Sequence, residues 1–492
     1  MFNKSHGVFY KFFTLAAASG FALITFGYTS EKTIIKDAAQ NTRAAYHLAH
    51  TGVMSLDKVA TETPNPQMRR EPLPIVVTAA YLLLHPSFNK PYTIAELTEG
   101  RLTETIKGVN AFWRFLAAIF VFLLCLELFT DPRIAAAMAV ICLIVSESLF
   151  FAQPGIVDRM YTELPEAALM LLAAWLAVRF IRTKSKLRAL WLGVALGALA
   201  LTKVSFLYIG VGFIFLLFAI EGLRVLRADP KKDQHRGRIF SNYAVILLTM
   251  LGTVAPWIVR NAIEFRNPQI ASGAETVLGI RMLYAEQPLL GGFYMFSPSR
   301  VRQRVIGPLT GYTEADLKPG GRLEQLAVTK GKKFEIFELR MKAEGYTGER
   351  ERWLRRSALD SAMQNPLRYV ASVAVFAYKG MWFFKQGGVL FNVVALLCFF
   401  AVFFGALFTD KQLLVAAFGL PAGLFFFISI FTHALTRYNA PITPFVIISG
   451  LWLLTALARK AVGTRTLQEI INRSATLNNR KSSRASGGRA QS

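Results

Sequence analysis

The sequence has few cysteines, few acidic side chains and no familiar nucleotide-binding or nucleic-acid-binding motif. Cys125, Cys142 and Cys398 all lie in apolar stretches, where a free thiol packs as a small hydrophobe, so a disulfide framework and a cysteine metal site are both excluded. Aspartate and glutamate total 31 against 56 lysine and arginine, a net charge of +25. Because zinc-finger spacing, a Walker loop and aromatic RNA-binding strands are missing, this charge favours anionic membrane lipid over nucleic acid as a partner.

Long apolar runs are what the sequence has in abundance. Hydrophobic residues make up 53% of the 492-residue chain and the mean hydropathy is +0.38, which is too apolar for one soluble globule. A helix needs about 20 apolar residues to cross a bilayer core. The predicted fold class is therefore an all-α polytopic membrane protein. Spans are predicted at residues 9–28, 107–129, 134–151, 164–181, 189–203, 204–222, 240–258, 388–408, 412–431 and 440–457.

Basic loops set the predicted orientation, because short loops rich in lysine and arginine stay on the cytoplasmic side. Such residues fill the loops 182–188 and 224–238 and the tail 459–489. Ten spans that begin inside place all three in the cytoplasm, with the first span as a retained anchor. The segment 366–384 is apolar but interrupted by two basic residues. It could span as an eleventh helix, which would put the tail outside, so we favour an interfacial helix there.

This topology divides the chain into four parts. They are a transmembrane module at 1–258, a second outer segment at 259–387, C-terminal transmembrane helices at 388–457 and a basic cytoplasmic tail at 458–492. The module includes a first outer segment at 29–106. Because the cytoplasmic loops are short and both outer segments are long, we expect the chemistry on the outer side.

Two short interfacial helices are predicted in the first outer segment. One begins at Asp37 and stops at Gly52, since glycine is the usual residue after a helix end. Its expected face consists of Ala38, Thr42, Ala45, Tyr46 and Ala49. The other covers residues 72–84, which are apolar but too short to span comfortably, and its start is set by prolines.

Charged residues at the span ends are the candidate functional residues, because a charge beside a bilayer is costly without a partner or a water-filled cavity. Four outer clusters are expected. They are Asp37 with Arg69 and Arg70; Asp158 and Arg159 with Glu163; Arg260; and His433 with Arg437 and Tyr438. Plain structural interpretations remain open beside the functional ones, with Asp37 as a helix cap and the others as anchors or boundary residues.

These clusters belong to an ordered series of motifs. The series is Asp37 after the first span, Arg69-Arg70-Glu71-Pro72, Tyr161-Thr162-Glu163, Gly197-Ala-Leu-Ala-Leu-Thr202-Lys203, Pro256-Trp257-Ile-Val-Arg260-Asn261 and Arg437-Tyr438-x-x-Pro441. It resembles the GT-C superfamily of glycosyltransferases, and within it the bacterial branch related to protein mannosyltransferases and the aminoarabinose lipid A transferase. The resemblance covers roughly residues 9–265 and 430–457. Ala38 and Glu71 stand where many relatives carry glutamate and proline.

The resemblance implies a GT-C fold and an enzyme that moves a sugar from a polyprenyl-phosphate donor to a glycan, lipid or protein acceptor on the outer side of the inner membrane. It implies that Asp37 is the catalytic carboxylate. An inverting transfer needs a base for the acceptor hydroxyl and positive charge where the phosphate leaves. Glu163 is expected to orient Asp37, to hold the acceptor or to bind a divalent metal, the one cofactor left open. Candidate phosphate-binding residues are Arg69, Arg70, Lys203, Arg260, His433, Arg437 and Tyr438.

Two other functions remain open from the sequence. An O-antigen polymerase or ligase would use the second outer segment, where Arg300-Val-Arg302-Gln-Arg304 is rich in positive charge. A transporter or flippase of a lipid-linked glycan would also have many spans. Transporters commonly show internal repeats and ionisable residues near the bilayer midplane. Here no repeat is evident and the charges gather at one surface, which favours the enzyme; the sugar, the acceptor and the prenol are not indicated.

Overall fold

The protein consists of helices and connecting loops. The structure is a computed structural model that describes residues 4–151, 156–158, 160–227, 234–382, 388–409, 411–432 and 436–462. Among these residues the only β pairing is an isolated antiparallel bridge between Ser55 and Pro66. The prediction of an all-α fold is confirmed.

The helices fall into two groups along the chain. The first group is α1 (Lys4–Leu23), α2 (Lys36–Thr51), α3 (Pro72–Leu84), α4 (Ile94–Thr98), α5 (Thr103–Lys107), α6 (Val109–Leu128), α7 (Pro132–Ser146), α8 (Glu163–Thr183), α9 (Lys186–Thr202), α10 (Ser205–Arg227) and α11 (Gln234–Phe265). The second group is α12 (Ala274–Ala285), α13 (Leu289–Phe296), α14 (Ser299–Val301), α15 (Gly307–Thr310), α16 (Glu324–Ala343), α17 (Arg350–Gln364), α18 (Pro366–Gly380), α19 (Gly388–Phe408), α20 (Gln412–Phe431) and α21 (Arg437–Val462).

Eight helices in the described part of the chain are long and apolar enough to cross a membrane. They are Thr103–Leu128, Pro132–Leu149, Glu163–Thr183, Ser205–Val225, Phe240–Phe265, Phe391–Phe408, Gln412–Phe431 and Arg437–Val462. Each overlaps a predicted span, and α11 continues to Phe265, beyond the predicted span end at residue 258. The other two predicted spans, 9–28 and 189–203, are helical in α1 and α9 without meeting the same criteria. The total of ten therefore stays a prediction.

Ion pairs mark one end of this bundle. Arg182 at the end of α8 lies 2.8 Å from Glu127 at the end of α6. Lys184, which follows α8, lies 2.5 Å from Glu221 near the end of α10. These basic residues belong to the loop 182–188 that the sequence analysis assigns to the cytoplasm. The opposite end, where α8 and α21 begin and α9 ends, carries the charged cluster described below.

Small residues let α9 and α11 approach closely. A Cβ atom at Gly193 would lie 1.8 Å from Thr249 Oγ1 and 2.4 Å from the carbonyl oxygen of Ile246. A Cβ at Gly197, one helical turn later, would lie 2.5 Å from the Cβ of Thr253. Only glycine fits both positions, so the two helix backbones pack directly against each other, as small residues permit in membranes.

The first outer segment folds as its sequence indicates. Helix α2 ends at Gly52, whose φ of 73° is left-handed and therefore suits glycine. Of the predicted face, Ala38, Thr42, Ala45 and Tyr46 are buried and Ala49 is half-buried. Helix α3 covers Pro72–Leu84, as predicted. Both helices pack into one small core of their own.

A fully buried lysine ties both ends of this segment together. Lys107 Nζ donates to the carbonyl oxygens of Ser30 at 2.6 Å and Lys32 at 2.8 Å. It also lies 2.9 Å from Oδ1 of Asp158, in the loop before α8. All three donors of the ammonium are thus used, which is what a buried charge requires.

The second outer segment runs from α12 to α18, with α12 packed on α17 and α13 on α18. Helix α18 has 15 residues, too few to cross a bilayer core that needs about 20. It packs on α20, where Tyr369 donates to the carbonyl oxygen of Ile430 at 3.2 Å. Leu367 and Val370 are exposed on its outer face. These features favour the predicted interfacial helix; residues 383–384 of the predicted segment lie outside the described residues.

Candidate active site

Asp37 lies in the first turn of α2, where distant parts of the chain meet. Its Oδ1 accepts a hydrogen bond from Arg70 Nη2 at 2.5 Å, and its Oδ2 accepts one from Arg437 Nη2 at 3.3 Å. The side chain remains 45% exposed. Burial acts to raise the pKa of Asp37, but the two arginines outweigh it and hold that pKa below its usual value. The carboxylate is therefore ionised and still accessible.

Arg70 is held at both its backbone and its guanidinium. Oε1 of Gln67 accepts the backbone N–H groups of Arg69 at 2.6 Å and Arg70 at 3.1 Å, which fixes the turn before α3. Oε1 of Gln40 accepts from Nε of Arg70 at 2.7 Å and from Nη2 at 2.5 Å. Gln40 follows Asp37 by three residues, so both side chains lie on one face of α2. Arg70 therefore has a neutral acceptor besides the carboxylate of Asp37.

Arg437, at the start of α21, joins Asp37 to Glu163. Its Nε lies 3.3 Å from Oε1 of Glu163, the first residue of α8. Glu163 is buried, with 3% of its side chain exposed. The guanidinium also lies over the ring of Tyr161, 4.1 Å from the centroid, a favourable cation–π geometry. Arg70, Asp37, Arg437 and Glu163 thus form a continuous row of alternating charge, which we call the charged row.

A second ion pair lies beside the charged row. Lys203, which follows the last residue of α9, places Nζ 2.9 and 3.0 Å from the two carboxylate oxygens of Glu166. Glu166 is fully buried and also accepts from the hydroxyl of Thr162 at 2.9 Å. The ammonium of Lys203 lies 4.6 Å from the ring centroid of Tyr438. Lys203 therefore lies beside the charged row, where it is engaged by a carboxylate of the protein.

Glu71 brings another carboxyl group to the same region. It precedes α3, and its carboxyl group lies near Arg70, Lys203 and the backbone of Val204. Burial raises the pKa of Glu71, and the two cations only partly offset that effect. Glu71 therefore adds a weak acid beside Arg70 and Lys203.

Arg260 supports the turn that carries Arg70 instead of reaching Asp37. Its Nη1 donates to the carbonyl oxygen of Gln67 at 3.1 Å, and its Nε lies 2.6 Å from Oε2 of Glu264. The guanidinium also lies over the ring of Trp257, 4.7 Å from the centroid. Arg260 therefore connects the C-terminal end of α11 to the turn before α3.

Several predicted residues lie away from the charged row. The side chain of Arg69 is exposed, and its backbone makes the contact described above. Asp158 pairs with Lys107 and accepts from the hydroxyl of Ser30 at 2.7 Å. His433 and Arg159 fall outside the described residues.

The arginine-rich stretch of the second outer segment also has partners of its own. Nε of Arg302 lies 2.7 Å from Oε1 of Glu314, and its guanidinium lies over the ring of Tyr294, 5.7 Å from the centroid. Both partners belong to the same outer segment. Arg302 therefore contributes to local packing of that segment, whereas Arg300 and Arg304 are exposed.

Three residues of this region were not predicted as site residues, namely Gln40, Tyr161 and Glu166. Two of them carry a periodic signal: Gln40 and Glu166 follow Asp37 and Glu163 by three residues on a helix, a spacing that places side chains on one face. Tyr161 was quoted as part of a motif, but nothing in its spacing indicates that a guanidinium lies over its ring.

The chemistry of these donors does not fit a divalent metal. The carboxylates of Asp37, Glu163 and Glu166 each face a cation of the protein, whereas a hard cation such as Mg²⁺ takes up to six free oxygen ligands. Within the described ranges no three histidine, cysteine or acidic side chains stand close enough to hold a metal ion. What the site offers is an accessible carboxylate between two guanidinium groups.

No protein-family model and no curated protein matches the chain. Among solved structures it is similar to the Archaeoglobus fulgidus oligosaccharyltransferase in complex with Zn and sulfate, at 12% identity and a TM-score of 0.46, over 91% of this chain and 49% of that one. It is also similar to archaeal oligosaccharyltransferase AglB from Archaeoglobus fulgidus with an inhibitory peptide and a dolichol-phosphate, at 15% identity and a TM-score of 0.42, over 93% and 52% of the two chains. The chain thus spans about half the length of these proteins. Likenesses this distant assign neither a substrate nor the bacterial branch named above.

Proposed function

We propose that the chain is a membrane glycosyltransferase that moves a sugar from a polyprenyl-phosphate donor to an acceptor hydroxyl. The observation that carries this proposal is the charged row, in which the half-exposed carboxylate of Asp37 lies between the guanidinium groups of Arg70 and Arg437. Arginine recognises phosphate through paired N–H donors. A base and a phosphate-binding group therefore stand side by side.

The reaction divides between these groups. The carboxylate of Asp37 takes the proton from the acceptor hydroxyl while the acceptor oxygen forms a bond to the anomeric carbon. The bond from that carbon to the phosphate oxygen breaks on the opposite face, and the electron pair leaves with the polyprenyl phosphate. Arg70 and Arg437 stabilise the charge on the leaving phosphate. Attack from the face opposite the phosphate inverts the anomeric centre.

The membrane setting supports a lipid-linked donor. The charged row lies where α8 and α21 begin, at the end of the bundle opposite the basic loop 182–188. We expect the phosphate headgroup of a lipid embedded beside these helices to reach this level without leaving the bilayer. We place this end on the outer, periplasmic side of the inner membrane, because the basic loop is expected in the cytoplasm. The acceptor is a glycan, a lipid or a protein on that side.

The test uses purified protein in lipid nanodiscs with a panel of polyprenyl-phosphate sugars and candidate acceptors. Release of free polyprenyl phosphate together with a glycosylated acceptor is expected for the wild type and is measured by mass spectrometry. Asp37→Asn should abolish release, whereas Asp57→Asn, the same change elsewhere in the first outer segment, should not. Absence of transfer with every donor would refute the function. Near-normal turnover by Asp37→Asn would refute the role of Asp37.

A further inference from the structure

The two arginines of the charged row share one carboxylate, yet each has a second partner of its own. Nη2 of Arg70 donates to Oδ1 of Asp37 and to Oε1 of Gln40, each at 2.5 Å. Arg437 lies 3.3 Å from both Asp37 and Glu163. Removal of Asp37 from this arrangement would therefore leave each guanidinium with one partner in place.

The acceptors differ in how free they are to move. Asp37 is 45% exposed, whereas Glu163 is 3% exposed. Gln40 is half-buried and uses a single oxygen for both N–H groups of Arg70. A partly exposed side chain in the first turn of a helix rotates into water at low cost. A buried carboxylate does not, because it would lose its partner without gaining solvent.

We propose that the donor phosphate displaces Asp37 from Arg70 and Arg437, while Gln40 and Glu163 act as positioning residues that hold the two guanidinium groups in place. This inference rests on the proposed function. A sugar phosphodiester carries one negative charge, so it takes the place of the carboxylate at the two guanidinium groups with the same formal charge.

The exchange links donor binding to the activation of the base. In the free protein the arginines hold the pKa of Asp37 low, and a weakly basic carboxylate is a poor proton acceptor. Once the phosphate takes up the guanidinium groups, the carboxylate is released beside the anomeric carbon with its basicity restored. An ionised base therefore becomes effective only when the donor is present, which limits unproductive reactions of the site.

The first test is the affinity for polyprenyl phosphate without a sugar. We expect Asp37→Asn to bind it about tenfold more tightly than the wild type, because the variant lacks the competing charge. Glu286→Gln serves as a matched control, since Glu286 pairs with Arg340 in the second outer segment and its loss should leave the affinity unchanged. Binding is measured by microscale thermophoresis in nanodiscs of neutral lipid.

The possible outcomes distinguish failure of the displacement from failure of the proposed function. Unchanged or weaker binding by Asp37→Asn, with measurable binding by the wild type, would overturn the displacement and leave the proposed function standing. No binding by either protein would overturn both. Equal tightening by Glu286→Gln would mean that only overall charge matters, and this too would overturn the displacement.

The second test concerns Gln40. We expect Gln40→Leu to raise the donor KM about tenfold with kcat nearly unchanged, because Arg70 loses its fixed partner while Asp37 remains. Gln40→Asn keeps a neutral amide acceptor on the same face of α2 and should restore part of the affinity. A fall in kcat alone, or no change in KM, would remove Gln40 as a positioning residue.

Discussion

Replacement of Lys203 by methionine should destabilise the protein by about 3–5 kcal/mol, because it leaves the carboxylate of Glu166 buried without its cation. Glu166 is fully buried, and both of its oxygens lie within 3.0 Å of Lys203 Nζ. The hydroxyl of Thr162 continues to donate to Glu166 at 2.9 Å, which offsets about 1 kcal/mol. The lower half of the range is therefore the expected value.

A double variant distinguishes the cost of an unpaired buried charge from the contribution of the whole ion pair between Lys203 and Glu166. Lys203→Met combined with Glu166→Leu removes both charges, and a buried ion pair replaced by apolar side chains is often neutral or stabilising. The double variant should lie within about 1–2 kcal/mol of the wild type, so the two single changes are strongly non-additive. Lys58→Met, which replaces an exposed lysine, is the control and should change stability by about 0.5 kcal/mol or less.

Unfolding in mixed micelles with an increasing fraction of sodium dodecyl sulfate, followed by tryptophan fluorescence, gives the free-energy differences. Additive single changes, or a Lys203→Met variant within about 1 kcal/mol of the wild type, would contradict the reasoning. In that case Lys203 would be free to meet a ligand, and its candidacy for phosphate binding would return.

Three further outcomes are expected. Gly193→Ala should destabilise the protein by about 1–3 kcal/mol because its Cβ would collide with α11. Gly222→Ala, where nothing lies within 4 Å of the added Cβ, should leave the stability unchanged. Equal unfolding midpoints of the two variants would contradict the close packing. Arg260→Ala should lower donor turnover about tenfold without abolishing it, because it loosens the turn that carries Arg70 but leaves the base in place; complete loss would assign Arg260 a direct role. The acid limb of the pH profile of kcat/KM should lie below the usual pKa of an aspartate. It should move to higher pH in Arg70→Leu, since loss of a cation raises the pKa of Asp37 and the base becomes protonated at a higher pH. An unmoved limb would show that another group controls it.

Local helix start and stop signals made much of the first outer segment predictable. Gly52 ends α2 and the prolines of residues 72–74 begin α3, because both residue types act through their own backbone geometry. Apolar length likewise located the eight helices that could span. Such signals need no knowledge of the rest of the chain.

The partners within the site could not be predicted in the same way. Asp37 and Arg437 are 400 residues apart, and only the packing of the whole bundle brings them together. Arg260 stood among the phosphate candidates because it is a charged residue at a span end, yet it contacts the turn at Gln67. The sequence thus indicated which charged residues are candidates, while the tertiary structure decides which of them meet.

The buried ammonium of Lys107 makes the closure of the first outer segment measurable. Its three donors are occupied and none of its side chain is exposed, so an amine-acylating reagent reaches it only when residues 30–32 move away. Exposed lysines of the same segment, such as Lys58, should react at once and calibrate the reagent. The extent of acylation at Lys107 over time, read by mass spectrometry, therefore measures how often the first outer segment, which carries Asp37, opens.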